Sequence, residues 1–354
     1  MRLRFLTSTP LDVARGSGTY VGMTTLADSL RRRGVEIEWV TPSIKLPVYT
    51  LQRLIFNRQL RARQMHPVDA TVGFDMDGYT LVRKPGSRHV ASIKGVIADE
   101  MRFESGMTRA TMVVQARCER LHVQGADLVI TTSKYSAGRI QALYRVESEP
   151  KIVPEAIDLQ AWQRQLSEAT AERTPGRFVV LTVCRFYPRK RLHVLLGAAA
   201  RLRNRIPGLE IRIVGGGPQA SRLRKICSEE QLGNVVTWRE NISQEELAAE
   251  YRCCDVFCLP SVQEGFGIVF LEAMAAGQPI VAARAAAMPE VVRHGLLADP
   301  DSDESLAAAI EKMYREPDLR RALAAAAGEW VKQFDADVVA GQFVRAMEEL
   351  VQRP

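Results

Sequence analysis

The sequence predicts an α/β protein built from two doubly wound domains. Strand-like and helix-like segments alternate nearly throughout the 354 residues, which is typical of parallel sheets covered by helices. The strand candidates, such as FVVLTVC at 178–184, are continuous apolar runs without alternation, as expected for strands buried on both faces. The length suits two domains of about 100 to 200 residues each.

The elements follow one another in order along the chain. A helix is expected over 18–33, because RRRG closes that segment at Gly34. The other expected helices are 191–204, 219–231, 244–252, 303–315, 317–333 and 336–352. The strand candidates are 2–7, 35–40, 69–73, 89–93 and 127–132 in the first half, and 178–184, 209–214, 234–238, 255–259 and 279–283 in the second.

The joint between the domains is expected within 154–176, where PEAID is followed by the polar stretch RQLSEATAERTPG. We therefore expect a first domain at 1–155 and a second at 156–334. The remaining segment, 335–354, reads as a C-terminal helix that can pack back on the first domain. Open parallel sheets bind ligands at the carboxyl ends of their strands, so two facing sheets would bind a ligand in the cleft between them.

Composition indicates a soluble protein that works in a reducing compartment. Hydrophobic residues make up 46% and charged residues 25%, which is ordinary for a globular chain. The N-terminus MRLRFLTSTP reads as a first strand and not as a signal peptide. The six cysteines show no C-x-x-C spacing and are expected to be reduced core residues. A cytoplasmic location follows.

Positive charge is concentrated in the first domain. Residues 1–155 carry 23 Lys and Arg against 15 Asp and Glu, a net +8, whereas the remainder carries 25 against 26, a net −1. The interleaved aromatic and basic residues of a nucleic-acid surface are missing, so anionic lipid and phosphorylated substrates stay open as partners. The segment LQRLIFNRQLRAR at 51–63 is either a basic amphipathic helix at a membrane or a surface helix packed on its domain.

Basic residues gather where strand 178–184 ends. Arg185 follows that strand, and Lys190 precedes the expected helix. Cations are unfavourable at a helix N-terminus, but the conflict disappears if a phosphate or diphosphate binds between them. Arg189 and Arg191 are assigned instead to a solvated basic turn.

Glycines follow the next strand, LEIRIV, in the turn GGGP at Gly215, Gly216 and Gly217. Glycine lets the backbone approach a ligand closely, although tight turns also use it for structural reasons alone. No G-x-G-x-x-G motif is present, which argues against a nicotinamide-dependent dehydrogenase.

Two carboxylates lie in the otherwise apolar stretch EGFGIVFLEAMAAGQPIVAA. Glu264 should lie in a loop and Glu272 in the second turn of a helix that starts near Ile268. Between them the amides of residues 266–268 would form an anion site. A nucleoside diphosphate sugar presents sugar hydroxyls, diphosphate and ribose hydroxyls in the same order, and carboxylates accept hydrogen bonds from diols. The alternative is that Glu272 pairs with a structural Arg and that Glu264 is a surface acid.

This stretch resembles the E-x7-E segment of retaining glycosyltransferases of the family 4 (glycosyl transferases group 1) type, which have the GT-B fold of two Rossmann-like domains facing across a cleft. Further segments are similar to that family. They are VCRFYPRKR, IVGGGP, ISQEELAAEYRCCDVFCLPS, the link IVPEAIDL, and GSGTY with Gly16, Ser17 and Gly18 in the position of a phosphate or acceptor loop.

The resemblance implies a bacterial hexosyltransferase that moves a sugar from a UDP- or GDP-sugar to an acceptor with retention, without cofactor or metal. Arg185 and Lys190 would stabilise the leaving diphosphate, Glu264 would bind the donor sugar, and Glu272 the ribose. Gly215–Gly217 and the run Gly265, Phe266, Gly267 and Ile268 would line the donor site. The acceptor is a sugar, a lipid-linked molecule or a small molecule, and peripheral contact with the inner face of the cell membrane is an added alternative. A sugar phosphorylase and a non-catalytic nucleotide-sugar-binding protein are the rivals.

Two differences from the family pattern concern the residues expected to bind the acceptor. Lys94 stands where many family members have a histidine, and Ala156 replaces the glycine of the interdomain link. In GFDMDGY, Asp75 and Asp77 are read as acceptor contacts, as a structural turn, or as metal ligands that imitate a D-x-D motif. Because Arg185 and Lys190 already supply positive charge, the metal alternative is the least favoured.

Overall fold

The computed structural model describes residues 1–9, 18–44, 46–83, 86–170 and 173–352. The chain divides into two compact units. Unit 1 consists of Met1–Ala156 with the C-terminal segment from Ala336, and unit 2 is Ile157–Asp335.

Unit 1 is built on a six-stranded parallel sheet in the order β2-β1-β3-β4-β5-β6. Its strands are β1 (Arg2–Leu6), β2 (Glu36–Val40), β3 (Ala70–Phe74), β4 (His89–Ile93), β5 (Leu128–Thr131) and β6 (Lys151–Ile152). Its helices are α1 (Gly18–Arg32), α2 (Tyr49–Ala62), α3 (Ile97–Glu100), α4 (Gly106–Gly125), α5 (Lys134–Tyr144) and the C-terminal α14 (Ala336–Val351). A 3-10 turn covers Met101–Phe103.

The C-terminal helix α14 completes the core of unit 1. Phe343 packs edge-on against Phe5 of β1, with ring centroids 6.3 Å apart, and it is buried in one cluster with Val72 and Phe74 of β3. Arg33 at the end of α1 donates to the carbonyl of Asp337. The last helix of the chain therefore covers a face of the first sheet.

Unit 2 repeats the arrangement with the order β12-β11-β10-β7-β8-β9, again parallel. Its strands are β7 (Phe178–Val183), β8 (Leu209–Val214), β9 (Val236–Arg239), β10 (Val256–Leu259), β11 (Ile280–Ala283) and β12 (Leu296–Ala298). Its helices are α6 (Leu159–Glu168), α7 (Leu192–Leu202), α8 (Ala220–Glu229), α9 (Gln244–Cys253), α10 (Ile268–Ala275), α11 (Met288–Val291), α12 (Asp303–Arg315) and α13 (Pro317–Trp330). Two 3-10 turns cover Pro188–Lys190 and Val331–Phe334.

The passage between the units is shorter than the polar sequence suggests. The chain crosses at Ala156 and Ile157, and α6 already occupies much of the stretch assigned to the joint. Asp158 caps α6 by accepting from the Ala161 amide, while Trp162 and Leu166 bury its apolar side. The strands β6 and β12, of two and three residues, were not predicted, since such short strands carry little pattern.

Each sheet reverses its strand order once, and that point positions the site. In unit 2 the chain runs outward through β8 and β9 on one side of β7, and through β11 and β12 on the other side of β10. Loops that leave the carboxyl ends of β7 and β10 therefore diverge to opposite sides. Open α/β sheets bind ligands in the crevice at such a reversal.

Candidate functional site

The loop after β7 places Arg185 at the carboxyl end of the sheet of unit 2. Its side chain is exposed and makes no hydrogen bond or ion pair within the part of the chain that the structure describes. After a 3-10 turn at Pro188–Lys190, Arg191 adopts a left-handed conformation with φ 54° and precedes α7. Arg191 pairs with Asp301 at 2.6 Å, and the Arg189 guanidinium lies 4.9 Å from the Tyr187 ring centroid. The two arginines assigned to a basic turn thus have protein partners.

Lys190 and Glu264 meet at the reversal between β7 and β10. The ammonium of Lys190 donates to Oε1 of Glu264, and both side chains are largely buried, at 13% and 10% exposed. Glu264 is therefore not a solvated surface acid. A buried ion pair is worth little for stability unless other groups satisfy it, so its position at a ligand-binding reversal points to a functional use.

Hydrogen bonds between the loops after β7 and β10 fix the positions of Lys190 and Glu264. The carbonyl of Arg189 accepts from the amide of Val262 at 2.9 Å and from the hydroxyl of Ser261 at 3.1 Å. Ser261 is fully buried. The loop after β10 is thereby tied to the 3-10 turn after β7, which sets Glu264 against Lys190.

The glycine turn after β8 packs directly on the loop after β7. A Cβ at Gly215 (φ 126°) would lie 2.1 Å from the carbonyl oxygen of Cys184, and one at Gly217 (φ 152°) would lie 2.7 Å from the amide nitrogen of Phe186. A Cβ at Gly216 would meet nothing within 4 Å. Two of the three glycines are therefore needed for backbone packing next to Arg185, and only Gly216 leaves open space.

The N-terminus of α10 follows Gly265, Phe266 and Gly267. Gly267 is the N-cap with φ 90°, a conformation that favours glycine, and Ile268 begins the helix. The first amides of a helix have no acceptor within it, so the N-terminus of α10 offers donors beside Glu264, although the Phe270 amide already donates to the Gly267 carbonyl. The ring of Phe266 packs on Phe334 with centroids 5.3 Å apart, which anchors this turn.

Glu272 lies one helical turn after Ile268, and helix geometry tilts its side chain back toward the N-terminus of α10. Its Oε2 accepts from the hydroxyl of Tyr251 on α9 at 2.7 Å. Burial raises the pKa of Glu272, and the hydrogen bond from Tyr251 offsets part of that rise. The partner of Glu272 is thus a tyrosine and not the structural arginine of the alternative reading.

The candidates in unit 1 are more deeply engaged in internal contacts. Gly16 and Ser17 lie outside the described residues, and Gly18 is the first residue of α1. Asp77 is fully buried and accepts from the amide and hydroxyl of Ser8, both at 2.7 Å. Its carboxylate also accepts from Asn57 at 2.9 Å and lies 3.5 Å from Arg53. These contacts favour the structural-turn reading of Asp77.

Asp75 follows β3 in a left-handed conformation with φ 52°. Its Oδ1 accepts from the amide of Lys94 at 2.9 Å, and its carbonyl accepts from Nδ1 of His122. Burial raises the pKa of Asp75 to about 6, against the opposing influence of Arg53 and the Lys94 amide. Asp75 thus joins the ends of β3 and β4, with its side chain partly exposed.

The ammonium of Lys94 pairs with Glu155 at 3.0 Å, and the two side chains are 7% and 6% exposed. The cation that stands where many family members have a histidine is therefore neutralised within unit 1. Glu155 immediately precedes the passage between the units, so this pair also fixes the end of the first domain to β4.

A histidine pair supports the turn that carries Asp75. Nε2 of His89 lies 2.8 Å from Nε2 of His122. Nδ1 of His122 donates to the Asp75 carbonyl, so with both rings neutral Nε2 of His122 accepts and Nε2 of His89 donates. Burial lowers the pKa of both, to about 4 for His122.

The comparisons with known proteins agree on one family. Residues 164–330 match glycosyl transferases group 1. A GDP-mannose-dependent alpha-(1-6)-phosphatidylinositol monomannoside mannosyltransferase from Mycobacterium tuberculosis is 30% identical over 320 residues, which cover 86% of this chain and 80% of that protein. The chain belongs to the glycosyl transferases group 1 family.

Solved structures place this glycosyltransferase in the GT-B fold. Sucrose-phosphate synthase from Thermosynechococcus elongatus superposes with a TM-score of 0.81 at 21% identity, over 99% of this chain and 98% of that one. HepE from Anabaena, solved with UDP and glucose, gives 0.73 at 18% identity, over 99% and 100%. The predicted fold of two Rossmann-like doubly wound domains is confirmed.

Several residues of the glycosyltransferase site carried no sequence signal. Tyr251 and Ser261 lie within the segment that resembles the family, but their roles depend on contacts across elements. Glu155 and Arg53 are distant in sequence from Lys94 and Asp77, the residues they pair with. In the sequence, Phe56 and Leu60 follow Arg53 by three and seven positions, the spacing of one helix face, and this spacing hints that Arg53 faces inward, as it does in the structure.

Helix α2 presents only part of the surface that its sequence suggested. Arg53 and Phe56 are buried, whereas Leu51, Arg58 and Arg61 are exposed. In the described ranges of the glycosyltransferase, no helix is long and apolar enough to cross a membrane.

Proposed function

We propose that this glycosyltransferase moves a sugar from a UDP- or GDP-sugar to an acceptor hydroxyl, with retention at the anomeric carbon and without a metal ion. The observation that carries the proposal is the contact of Lys190 with Glu264 at the strand reversal of unit 2. Arg185 lies exposed beside the same loop, and Glu272 lies one turn into α10. Cation, carboxylate and helix N-terminus thus converge where open α/β sheets bind nucleotides.

The diphosphate is the natural ligand of the basic end of this site. Arg185 and Lys190 bind its oxygens, and the first amides of α10 add further donors. Negative charge grows on the leaving diphosphate in the transition state, where preorganised donors are most effective. Glu264 accepts from sugar hydroxyls through the oxygen that Lys190 does not hold, and Glu272 accepts from the ribose.

Retention follows from attack on the face that the diphosphate leaves. A phosphate oxygen on that face takes the acceptor proton as the new glycosidic bond forms, so a histidine base is not needed. This fits a donor site whose named side chains are two cations and two carboxylates. Arg185 and Lys190 supply the charge that a divalent ion supplies in metal-dependent enzymes.

The acceptor side belongs to unit 1, with Asp75 as the accessible candidate at the end of β3. A lipid-linked acceptor is the preferred class, because the mycobacterial relative is named for a phosphatidylinositol monomannoside. Exposed apolar side chains of unit 1 support peripheral contact with anionic lipid. They include Ile44, Val48, Tyr49 and Leu51, close in sequence to Arg58 and Arg61.

Turnover of UDP- and GDP-sugars tests the proposal. We expect one donor class to be consumed, the product to keep the anomeric configuration by proton NMR, and EDTA to leave most activity intact. Inversion would contradict the mechanism, and complete loss in EDTA restored by Mn²⁺ would contradict metal independence. Transfer of the sugar from a sugar 1-phosphate to the acceptor, with release of inorganic phosphate and without any nucleotide, would favour the phosphorylase. Lack of turnover despite nucleotide binding would favour a non-catalytic role.

A further inference from the structure

We propose that Tyr251 is a positioning residue of the donor site, which holds one oxygen of Glu272 so that the other is presented to the ribose hydroxyls. The inference rests on the proposed function, because it takes Glu272 as the ribose ligand. It adds a residue on a different helix, α9, whose side chain reaches the site only through Glu272.

The Tyr251 hydroxyl has one proton and two acceptors within reach. Oε2 of Glu272 is 2.7 Å away, and the carbonyl of Val269 is 3.3 Å away. A bond to a carboxylate is shorter and stronger than one to a neutral carbonyl, so the proton belongs to the Tyr251–Glu272 bond. Oε1 of Glu272 makes no hydrogen bond within the part of the chain that the structure describes, and it is left for a ligand.

Aromatic packing fixes the hydroxyl in place. The ring of Tyr251 is fully buried and lies between Phe257, stacked at 5.7 Å, and Trp162, edge-on at 5.5 Å. The indole N–H of Trp162 donates to the backbone carbonyl of Glu272 at 3.0 Å. Two elements, α6 and α9, therefore hold the backbone and the side chain of Glu272 separately.

This arrangement reduces the cost of binding the ribose. A glutamate without a partner samples several rotamers, and ordering it on binding costs free energy. Tyr251 restricts Glu272 before the donor arrives. Its hydrogen bond also opposes the rise in the pKa of Glu272 that burial causes, which favours the ionised form that accepts from both ribose hydroxyls.

The test compares UDP and GDP with their 2′,3′-dideoxy counterparts by isothermal titration calorimetry. Whichever base the native protein binds, we expect the ribonucleotide to bind at least about tenfold more tightly than the dideoxy form, as one charged hydrogen bond allows. In Tyr251→Phe the ribonucleotide should lose most of this preference, whereas the affinity for the dideoxy form should stay within about twofold. A merely structural role would weaken both nucleotides together.

Unit 1 offers a matched control. Tyr144 is 2% exposed and its hydroxyl donates to Oε2 of the buried Glu119, the same pair of groups in a comparable setting. Tyr144→Phe removes the same hydroxyl and should lower stability by a similar amount without changing the ribose preference. Trp162→Phe is a second variant that keeps Tyr251, and it should reduce the preference by a few fold because it loosens the Glu272 backbone.

The outcomes separate the inference from the function it rests on. If the native protein binds the ribonucleotide and the dideoxy form equally, Glu272 is not the ribose ligand and the proposed donor geometry fails. If the native protein prefers the ribonucleotide and Tyr251→Phe keeps that preference, the inference is overturned and the donor geometry stands. In a Glu272→Ala background, Tyr251→Phe should cause no further loss, and an additional loss would also overturn it.

Discussion

The two units share one sheet plan but use their charged residues differently. Unit 1 carries 25 Lys and Arg against 18 Asp and Glu, the whole net +7 of the chain, whereas unit 2 carries 23 of each. Unit 1 nevertheless buries the side chains of Arg53 and Asp77 in one ion pair and those of Lys94 and Glu155 in another. Unit 2 leaves Arg185 exposed at its strand reversal. The central charges of unit 1 thus form internal ion pairs, whereas in unit 2 Arg185 stays exposed beside the buried Lys190–Glu264 pair, where we propose that the donor binds.

Exposed apolar side chains are also distributed unequally between the two units. Within the described ranges, every large hydrophobic residue that is exposed belongs to unit 1, and none belongs to unit 2. A surface that combines apolar side chains and positive charge fits a lipid headgroup layer. We therefore predict that the excess positive charge of unit 1 marks a contact surface, whereas the partners of individual charges in unit 2 identify a small-molecule site.

The largest expected effect is on the stability of unit 1. Asp77→Ala leaves Arg53 buried without its closest carboxylate, and breaking a buried pair in this way costs about 3–5 kcal/mol. Urea unfolding followed by a probe in unit 1 measures the loss. The control is Asp28→Ala, which removes an exposed acid paired with Arg31 on α1 and should cost less than about 0.5 kcal/mol. Equal stability of both variants would contradict the internal use of charge in unit 1.

Substitutions at the proposed donor site of unit 2 should raise the activation free energy of catalysis by a comparable amount. Arg185→Ala or Lys190→Ala should lower kcat by about 10²-fold or more, as loss of one transition-state charge contact does. Arg177→Ala is the matched control, since Arg177 is an exposed arginine just before the opposite end of β7. Steady-state kinetics with the consumed donor checks the prediction. Near-native kcat in both site variants, or a similar loss in the control, would refute the assignment.

A site residue could be predicted from the sequence when the pattern that identifies it lies within one segment of the chain. Glu264 and Glu272 were predicted as a pair because one strand end and one helix carry both, and Arg185 and Lys190 because one loop does. The pairing of Lys190 with Glu264 joins loops 74 positions apart, and no pattern in either loop encodes it. Asp77 could not be assigned for the same reason, since its partners Ser8, Asn57 and Arg53 come from other elements.

The histidine pair predicts a pH effect confined to unit 1. An unfolded histidine titrates near 6.5, but His122 in the fold titrates at about 4 and His89 lower than usual. Between these values the unfolded chain binds more protons, so stability falls as the pH drops from about 6.5 toward 4. The raised pKa of Asp75 acts in the opposite direction over part of this window.

Comparison with His122→Gln isolates the contribution of His122 to the pH dependence, because Asp75 is present in both proteins. From pH 6.5 to 4.5 the native protein should lose about 1–3 kcal/mol more than the variant, measured as the free energy of unfolding of unit 1. The variant should start less stable, since it loses the contact with His89. Parallel pH profiles would show that the pair does not remain neutral.

The smallest expected effects concern lipid contact by α2. Each cation near an anionic surface contributes about 1 kcal/mol, so Arg58→Gln and Arg61→Gln should each weaken co-sedimentation with phosphatidylserine vesicles roughly fivefold. Leu51 is 48% exposed, and burying its side chain in the lipid should contribute a similar free energy, so Leu51→Ser tests the apolar contribution to binding.

Arg203→Gln, at the end of α7 in unit 2, is the control and should bind as the native protein does. Binding should weaken as salt rises, because exposed charges are screened. Two results would contradict lipid contact: the native protein stays in the supernatant at low salt, or Arg203→Gln weakens binding as much as Arg58→Gln. In either case a soluble phosphorylated acceptor becomes the better explanation for the excess positive charge of unit 1.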